Sequence, residues 1–444
     1  MKYCSTRNSN LEKSFDEIII EGLAQDGGLY MPKKWPKIDL SKILNNKSIT
    51  YPELAKIIIK NYVGDTIKES ELLEIAENTY DVFSHKKIAP LINIKNNKYI
   101  LELFHGPTYA FKDYPLQMLG NLFQYYLNKK NKSITVIGAT SGDTGSAAID
   151  ACKDKENIKI FILHPKNKTS DIQRKQMTTI KSSNVYNVAI DGTFDDCQNI
   201  IKKLFVSDDL RSKTTLSAIN SINWARIMSQ SVYFFWAYIQ ASQYDKKVNF
   251  IVPTGNFGDA YAGYVAKKMG LPINKIIIAT NQNDILDRII RTGEYVKGEV
   301  YKTPSPAMDI QIASNFERLL FEILGRDSKE LIRLMNLLET NNGFTIDESL
   351  RDILNKDFSS GSLSNVETIK TIKHYYKEKK MLLCPHSAIG VKVAENGLVS
   401  DNITISLATA HPGKFKDTVE RAISEPIQLP KILKEVVEKE EVYK

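Results

Sequence analysis

The chain has 444 residues, 42% hydrophobic and 25% charged, an ordinary soluble composition that is too long for one compact core, so two or three domains are expected. Its net charge of +8 comes from lysines spread along the chain, which favours a lysine-rich solvated surface over nucleic-acid binding. No apolar run approaches the roughly 18 residues of a membrane span. Cys4, Cys152, Cys197 and Cys384 are far apart with no CxxC pair, which argues against a disulfide framework or a structural metal. The opening "MKYCSTRNSNLEKSF" has no long apolar stretch of a secretory signal, so a cytoplasmic protein is expected.

Residues 1–95 read as a mixed, mainly helical domain. "SITYPELAKIIIKNYV" has helical periodicity through Leu54, Ile57, Ile58 and Tyr62, and "SELLEIAENTYDVF" is a second amphipathic helix. From about residue 130, apolar strands alternate with helices, the pattern of an α/β protein. The strands are "ITVIGA", "KIFILHP", "NVYNVAI", "VNFIVPT", "KIIIAT" and "NITISLA"; helices are expected over 193–205, 224–242 and 316–324. The charged tail after Pro430 reads as a surface helix.

Two strands run into glycine turns followed by helix starts. After "ITVIGA" comes Thr140-Ser141-Gly142-Asp143-Thr144-Gly145; after "VNFIVPT" comes Gly255-Asn256-Phe257-Gly258-Asp259. Such turns aim backbone N–H groups and a positive helix end at one point, where an anion can be held. Glycine suits them because a Cβ would block positive φ angles and close approach of the ligand. Neither turn is a Walker A motif or a GxGxxG dinucleotide fingerprint. Two anion sockets of different shape remain, suited to a carboxylate and a phosphate.

The stretch "ELFHGPTYAFKDY" sets Lys112 between Phe111 and Asp113 after a Gly-Pro turn. A Schiff base from this lysine to an aldehyde cofactor carrying a phosphate would need a socket of the second kind. That is the chemistry of pyridoxal 5′-phosphate.

Across most of its length the chain resembles the threonine synthase family, pyridoxal-phosphate-dependent enzymes with the tryptophan-synthase-β-like fold (fold type II). The resemblance rests on "YCSTRN" (with Asn8 where glycine is common), "LAQDGGLYMP", "ELFHGPTYAFKDY", "ATSGDTGSAA", "QRKQMTT", "DGTFDDCQ", "NSINWARI", "VPTGNFGDAYAGYVAKKMG", "TPSPAMDIQIASNFERLL" and "ATAHPGKF", in the family's order. It implies parallel sheets flanked by helices, with an N-terminal domain of residues 1–95, a large cofactor domain of 96–130 and 210–444, and a small mobile domain of 131–209. It implies a carbon-oxygen lyase that makes L-threonine and phosphate from O-phospho-L-homoserine and water, as a monomer or homodimer. A phospholyase or dehydratase releasing 2-oxobutyrate, or a non-catalytic scaffold, are the alternatives.

The resemblance also implies roles for individual residues. Lys112 would hold the cofactor and move protons. Gly255, Asn256, Phe257 and Gly258, with Asp259 in the same turn, would bind the cofactor phosphate, and Thr409 the pyridine nitrogen. Thr140, Ser141, Gly142, Asp143 and Thr144 would take the substrate carboxylate, the ring hydroxyl, or both. An aspartate at 143 would be repelled there unless protonated or turned away. Arg226, Lys414 and Arg7 are candidates for the substrate phosphate, with a structural ion pair the other reading of Arg226. His105 and His386 read either as core histidines or as neighbours of the cofactor, and His411 as a residue that shapes its turn. Asp195-Asp196 read as charge set against a helix dipole, and the aromatics of "SVYFFWAYIQ" as core.

Overall fold

The computed structural model describes residues 1–140, 142–205, 207–219, 221–241, 246–396 and 402–444. Near the N-terminus, β1 (Tyr3–Ser5) pairs antiparallel with β2 (Asn8–Lys13) and β3 (Tyr30–Pro32). Helix α1 (Tyr51–Val63) begins where a reciprocal capping box satisfies its free amides: Glu53 N donates to Thr50 Oγ1, and Thr50 N donates to the Glu53 carboxylate at 2.7 Å. Its buried face runs Tyr51, Leu54, Ala55, Ile58, Ile59 and Tyr62; Ile57, placed on that face by the periodicity, is only half-buried. Helix α2 (Glu69–Tyr80) packs against α1.

A hairpin follows, β4 (Leu91–Lys95) and β5 (Lys98–Glu102), turned by Asn96 and Asn97, both at positive φ, as two-residue hairpins require. The chain continues through α3 (Asp113–Lys130), β6 (Ile134–Ala139), α4 (Asp143–Cys152), β7 (Ile158–Pro165), α5 (Asp171–Thr178), β8 (Val185–Ile190) and β9 (Leu216–Ala218). The second half holds α6 (Trp224–Ala241), β10 (Val248–Pro253), α7 (Gly258–Met269), β11 (Ile273–Thr280), the short antiparallel pair β12 (Glu294–Val296) and β13 (Gly343–Thr345), β14 (Phe358–Ser362), α8 (Pro385–Glu395), β15 (Ile403–Ala408) and α9 (Lys431–Glu438). The expected strands agree with these to within two residues, and the helices expected over 193–205 and 316–324 form as Phe194–Phe205 and Phe316–Ile323. The helix read from "SELLEIAENTYDVF" stops at Tyr80, three residues before Phe83, and Ser242, the end of the 224–242 helix, lies outside the described residues.

Two sheets organise the site. One has the order β8-β7-β6-β9 and is all parallel. Its fourth strand comes from 216–218, beyond the 131–209 span. The other has the order β14-β11-β10-β15-β5-β4, parallel except for β4, and takes in residues 91–95 of the expected N-terminal span. Strands β10 and β15 are buried along their whole length, as parallel strands covered by helices must be. Because β15 lies between β10 and β5, the loops leaving the carboxyl ends of all three emerge side by side. In open α/β sheets that crevice is where ligands bind. The tail helix α9 is not purely a surface element: it buries Leu433 and Val436 and packs on α5.

Candidate active site

Lys112 is delivered by the loop after β5. Asp113 anchors that loop, accepting Thr108 N at 2.9 Å and Thr108 Oγ1 at 2.5 Å, although burial pushes its own proton affinity up to about 7. Gly106 is needed here, since a Cβ would fall 2.5 Å from Asp113 Cβ. The loop is zipped to the one after β15: Phe111 N donates to Thr409 O at 2.8 Å, and His411 N donates to Tyr109 O at 3.0 Å. Lys112 therefore stands beside Thr409, its Nζ 4.8 Å from the centre of the Phe111 ring and 3.8 Å from Asp143 Oδ2. Burial lowers its proton affinity and Asp143 partly restores it. A lysine so placed reaches its neutral, nucleophilic form more readily than a surface lysine.

The turn after β10 lies opposite. Thr254 Oγ1 accepts Phe257 N at 3.1 Å and donates to the Asp259 carboxylate, which also accepts Ala260 N at 2.9 Å. Burial pushes Asp259 up to about 6 against these donors. Phe257 adopts the left-handed conformation at φ 63°. The amides of Gly255, Asn256 and Gly258 have no hydrogen-bond partner among the described residues, whereas that of Phe257, expected to join them, is held by Thr254. Packing gives a further reason for glycine at both places. A Cβ on Gly255 would lie 2.6 Å from Ala307 O, and one on Gly258 would lie 3.2 Å from Asn315 Nδ2. The glycines therefore admit the neighbouring segments.

In the turn after β6, Thr140 Oγ1 accepts the amides of Gly142 and Gly145, each at 3.0 Å. Thr140 and Gly142 shape the turn and do not line the cavity; Asp143 and Thr144 do. Ser141 lies outside the described residues. Asp143 is not turned away: its Oδ2 lies 3.8 Å from Lys112 Nζ. Its Oδ1 meets Lys414 Nζ at 2.8 Å and accepts Gln173 Nε2 at 2.8 Å. Burial would raise its proton affinity, but Lys414 and Lys112 overcome this and hold the carboxyl well below its usual range. Lys414, fully buried, also donates to Thr108 O at 2.7 Å. It is therefore engaged behind Asp143, away from the cavity lining.

Arg226 occupies the first turn of α6, where Asn223 Oδ1 accepts Ala225 N at 3.0 Å. It is 3% exposed, lines the cavity, and its Nε and Nη1 have no hydrogen-bond partner among the described residues. Burial pushes it down to about 10, with Asp259 acting in the other direction. Arg7 instead pairs with Glu317 at 3.2 Å. His386 lines the cavity, accepts Ala307 N on Nε2 at 3.3 Å, and is pushed down to about 3 by burial, so it is neutral. His105 bonds Glu102 at 2.8 Å outside the cavity, and His411 Nδ1 accepts Gly413 N within its own turn. Asp196 caps its helix through Thr193; the Asp195 side chain lies outside the described residues. The aromatics of α6 are core. Sequence reasoning did not single out Gln230, Ala307 and Met308, which line the cavity, or Gln173; the signal available was their place in the quoted motifs or beside them.

A lysine with a lowered proton affinity, three amides at a helix start and a Thr409 hydroxyl, the amides and hydroxyl without a partner among the described residues, fit an aldehyde cofactor carrying a phosphate. Comparison with known proteins agrees. Residues 2–80 match the family model "Threonine synthase N terminus", 85–349 match "Pyridoxal-phosphate dependent enzyme" and 387–444 match "Threonine synthase, C-terminal". The chain is 44% identical to a threonine synthase of Pseudomonas aeruginosa over 99% of its own length and 94% of the relative's.

This chain belongs to the threonine synthase family.

A Saccharomyces cerevisiae threonine synthase is 46% identical over 95% of this chain and 89% of its own. The crystal structure of pyridoxal-phosphate-bound threonine synthase from Brucella melitensis superposes with a TM-score of 0.97 at 44% identity, covering 100% of this chain and 96% of that one. The Escherichia coli threonine synthase gives 0.85 at 32% identity, covering 100% and 96%. The protein is thus a pyridoxal-phosphate-dependent lyase of fold type II. No helix among the described residues is long and apolar enough to cross a membrane.

Proposed function

We propose that this threonine synthase acts on O-phospho-L-homoserine, adding water and releasing L-threonine and phosphate. The observation that carries the reading is Arg226, a buried guanidinium with two unpartnered nitrogens in the same cavity as Lys112 and the glycine turn. An unpaired buried cation is costly, and a second anion beside the cofactor's own phosphate removes that cost. Lys112, the amides of Gly255, Asn256 and Gly258, and Thr409 would hold pyridoxal phosphate, which would supply an electron sink for carbanions on the substrate. Lys112 Nζ, whose neutral form burial favours, takes and returns protons along the substrate carbons. Arg226 holds the departing phosphate as charge builds on it. Asp143, ionised and held by Lys414, faces Lys112 and favours an ammonium over a carboxylate at that point. Thr144 and the amides of Asp143 and Thr144, which have no hydrogen-bond partner among the described residues, are left for the substrate carboxylate.

In this reading residues 131–209 close over the body formed by 96–130 and 210–444 and exclude water while the substrate is electrophilic, with residues 1–95 an N-terminal domain packed on that body. The four free cysteines support a cytoplasmic setting, with the protein a monomer or homodimer. Incubation with O-phosphohomoserine should yield threonine and phosphate in equal amounts, and homoserine should be inert. Phosphate with 2-oxobutyrate and no threonine would make the protein a phospholyase, and no turnover by cofactor-saturated protein would leave the scaffold reading.

A further inference from the structure

The motif "QRKQMTT" has no part in the chemistry above. It forms α5, whose two faces make different contacts. On the inner face, Gln173 Nε2 donates to Asp143 Oδ1 at 2.8 Å, and Gln176 Nε2 donates to Thr108 O at 3.1 Å, the carbonyl that also receives Lys414. On the outer face, three residues take the end of the chain. Arg174 Nε and Nη2 donate to the Glu441 carboxylate at 2.8 and 3.3 Å, Thr178 Oγ1 donates to Glu441 Oε1 at 2.8 Å, and Lys175 Nζ donates to Val437 O. Val442 N then donates to Thr178 O at 2.6 Å, and Lys444 bridges Asn187 and Ala189 of β8 through its backbone.

We propose that Gln173 is a positioning residue for Asp143, and that the C-terminal tail, acting through α5, sets where Gln173 stands. Three observations carry this. Lys414 and Gln173 converge on Oδ1, which turns Oδ2 towards Lys112 at 3.8 Å. A lysine is a point charge that sets no plane, whereas a planar amide does. The amide's own orientation is fixed, because Ser170 Oγ donates to Gln173 Oε1 at 2.9 Å. And Gly142 leaves room for it: a Cβ there would strike the Gln173 amide carbon at 2.7 Å. The glycine of "SGDTG" therefore serves Gln173.

The inference rests on the reading that Asp143 faces the reacting groups. Gln173→Met keeps the volume and removes the donor. With one hydrogen bond to a charged group lost, kcat should fall roughly tenfold or more, with KM and melting temperature close to wild type. Gln173→Glu adds a negative charge beside Asp143, whose other ionisable neighbours are Lys414, Lys112, His386 and Cys384. Asp143 would then bind a proton more readily and be repelled from the new carboxylate, so kcat should fall further than in Gln173→Met. Glu441→Ala should reproduce the kcat loss in smaller measure, and Lys181→Ala, which breaks only an exposed pair with Glu440, should change nothing. In the apoprotein, amides at the start of α4 should exchange faster in Gln173→Met and Glu441→Ala than in wild type. Unchanged exchange or an unchanged kcat in Gln173→Met would overturn the proposal, as would a fall in melting temperature that accounts for the lost activity. If wild-type protein makes no threonine from O-phosphohomoserine, the substrate reading fails and the exchange measurement still decides the role of Gln173.

Discussion

Replacing Lys414 by methionine tests the charge balance at the centre of the site. The side chains of Lys414 and Asp143 are 0% and 4% exposed and meet at 2.8 Å. Methionine fills similar space but leaves a buried carboxylate supported by Gln173 at 2.8 Å and by Lys112 only at 3.8 Å. Removing one partner of such a pair costs about 3–5 kcal/mol, most of it the penalty on the stranded charge. The Thr108 carbonyl loses a donor as well. Asp143→Asn in the same background removes the stranded charge, so the double variant should be more stable than the Lys414→Met single variant. The coupling energy should reach about 2–3 kcal/mol, the upper part of what contacting residues show. Urea unfolding of the apoproteins, followed by circular dichroism with midpoint and slope compared across the four proteins, measures it. Effects that add within about 0.5 kcal/mol would refute the reasoning, because two buried charges in contact cannot act independently.

Borohydride reduction of the holoenzyme followed by peptide mapping should place the cofactor on Lys112, and an adduct on any other lysine would remove Lys112 from its role. Gly255→Ala should destabilise the apoprotein by about 1–3 kcal/mol through overpacking against Ala307 O and weaken cofactor binding with it. Gly258→Ala, which meets only the Asn315 side chain, should be milder; equal effects would contradict the packing argument, with calorimetry and cofactor titration as the measurements. Arg226→Ala should lose roughly tenfold to a hundredfold on O-phosphohomoserine, as expected for one or two charge-assisted hydrogen bonds, and far less on a slow β-elimination substrate without a phosphate; equal loss on both would take Arg226 out of the phosphate site. The proton affinity of Asp143 is depressed in the folded protein, so the stability it contributes is present above the ordinary carboxylate range and lost as pH falls through that range and below. Asp143→Asn apoprotein should therefore lose less stability than wild type between pH 5 and pH 3, followed by urea midpoints.

Much was legible because it is local. The alternation of strands and helices follows from side-chain periodicity, and the capping box of Thr50 and Glu53 is written in adjacent residues. The motif order around Lys112, the glycine turns and Thr409 was enough to place the chain beside its family. The turn of the β4/β5 hairpin is likewise written in adjacent residues, Asn96-Asn97. What only the tertiary structure decided is what each of these residues meets. Strand order puts β15 between β10 and β5, so loops some 150 residues apart in sequence share one crevice. Lys414 looked like a free cation for the substrate, yet burial beside Asp143 and Thr108 O commits it to the protein. Asp143 looked misplaced beside anions until that partner appeared. The glycines of the cofactor turn were read as room for a ligand, and their Cβ directions show that Ala307 and Asn315 need that room as well. Residue type and spacing specify local geometry, but the charge a buried group carries depends on partners brought from far along the chain, and those are set only when the sheets close.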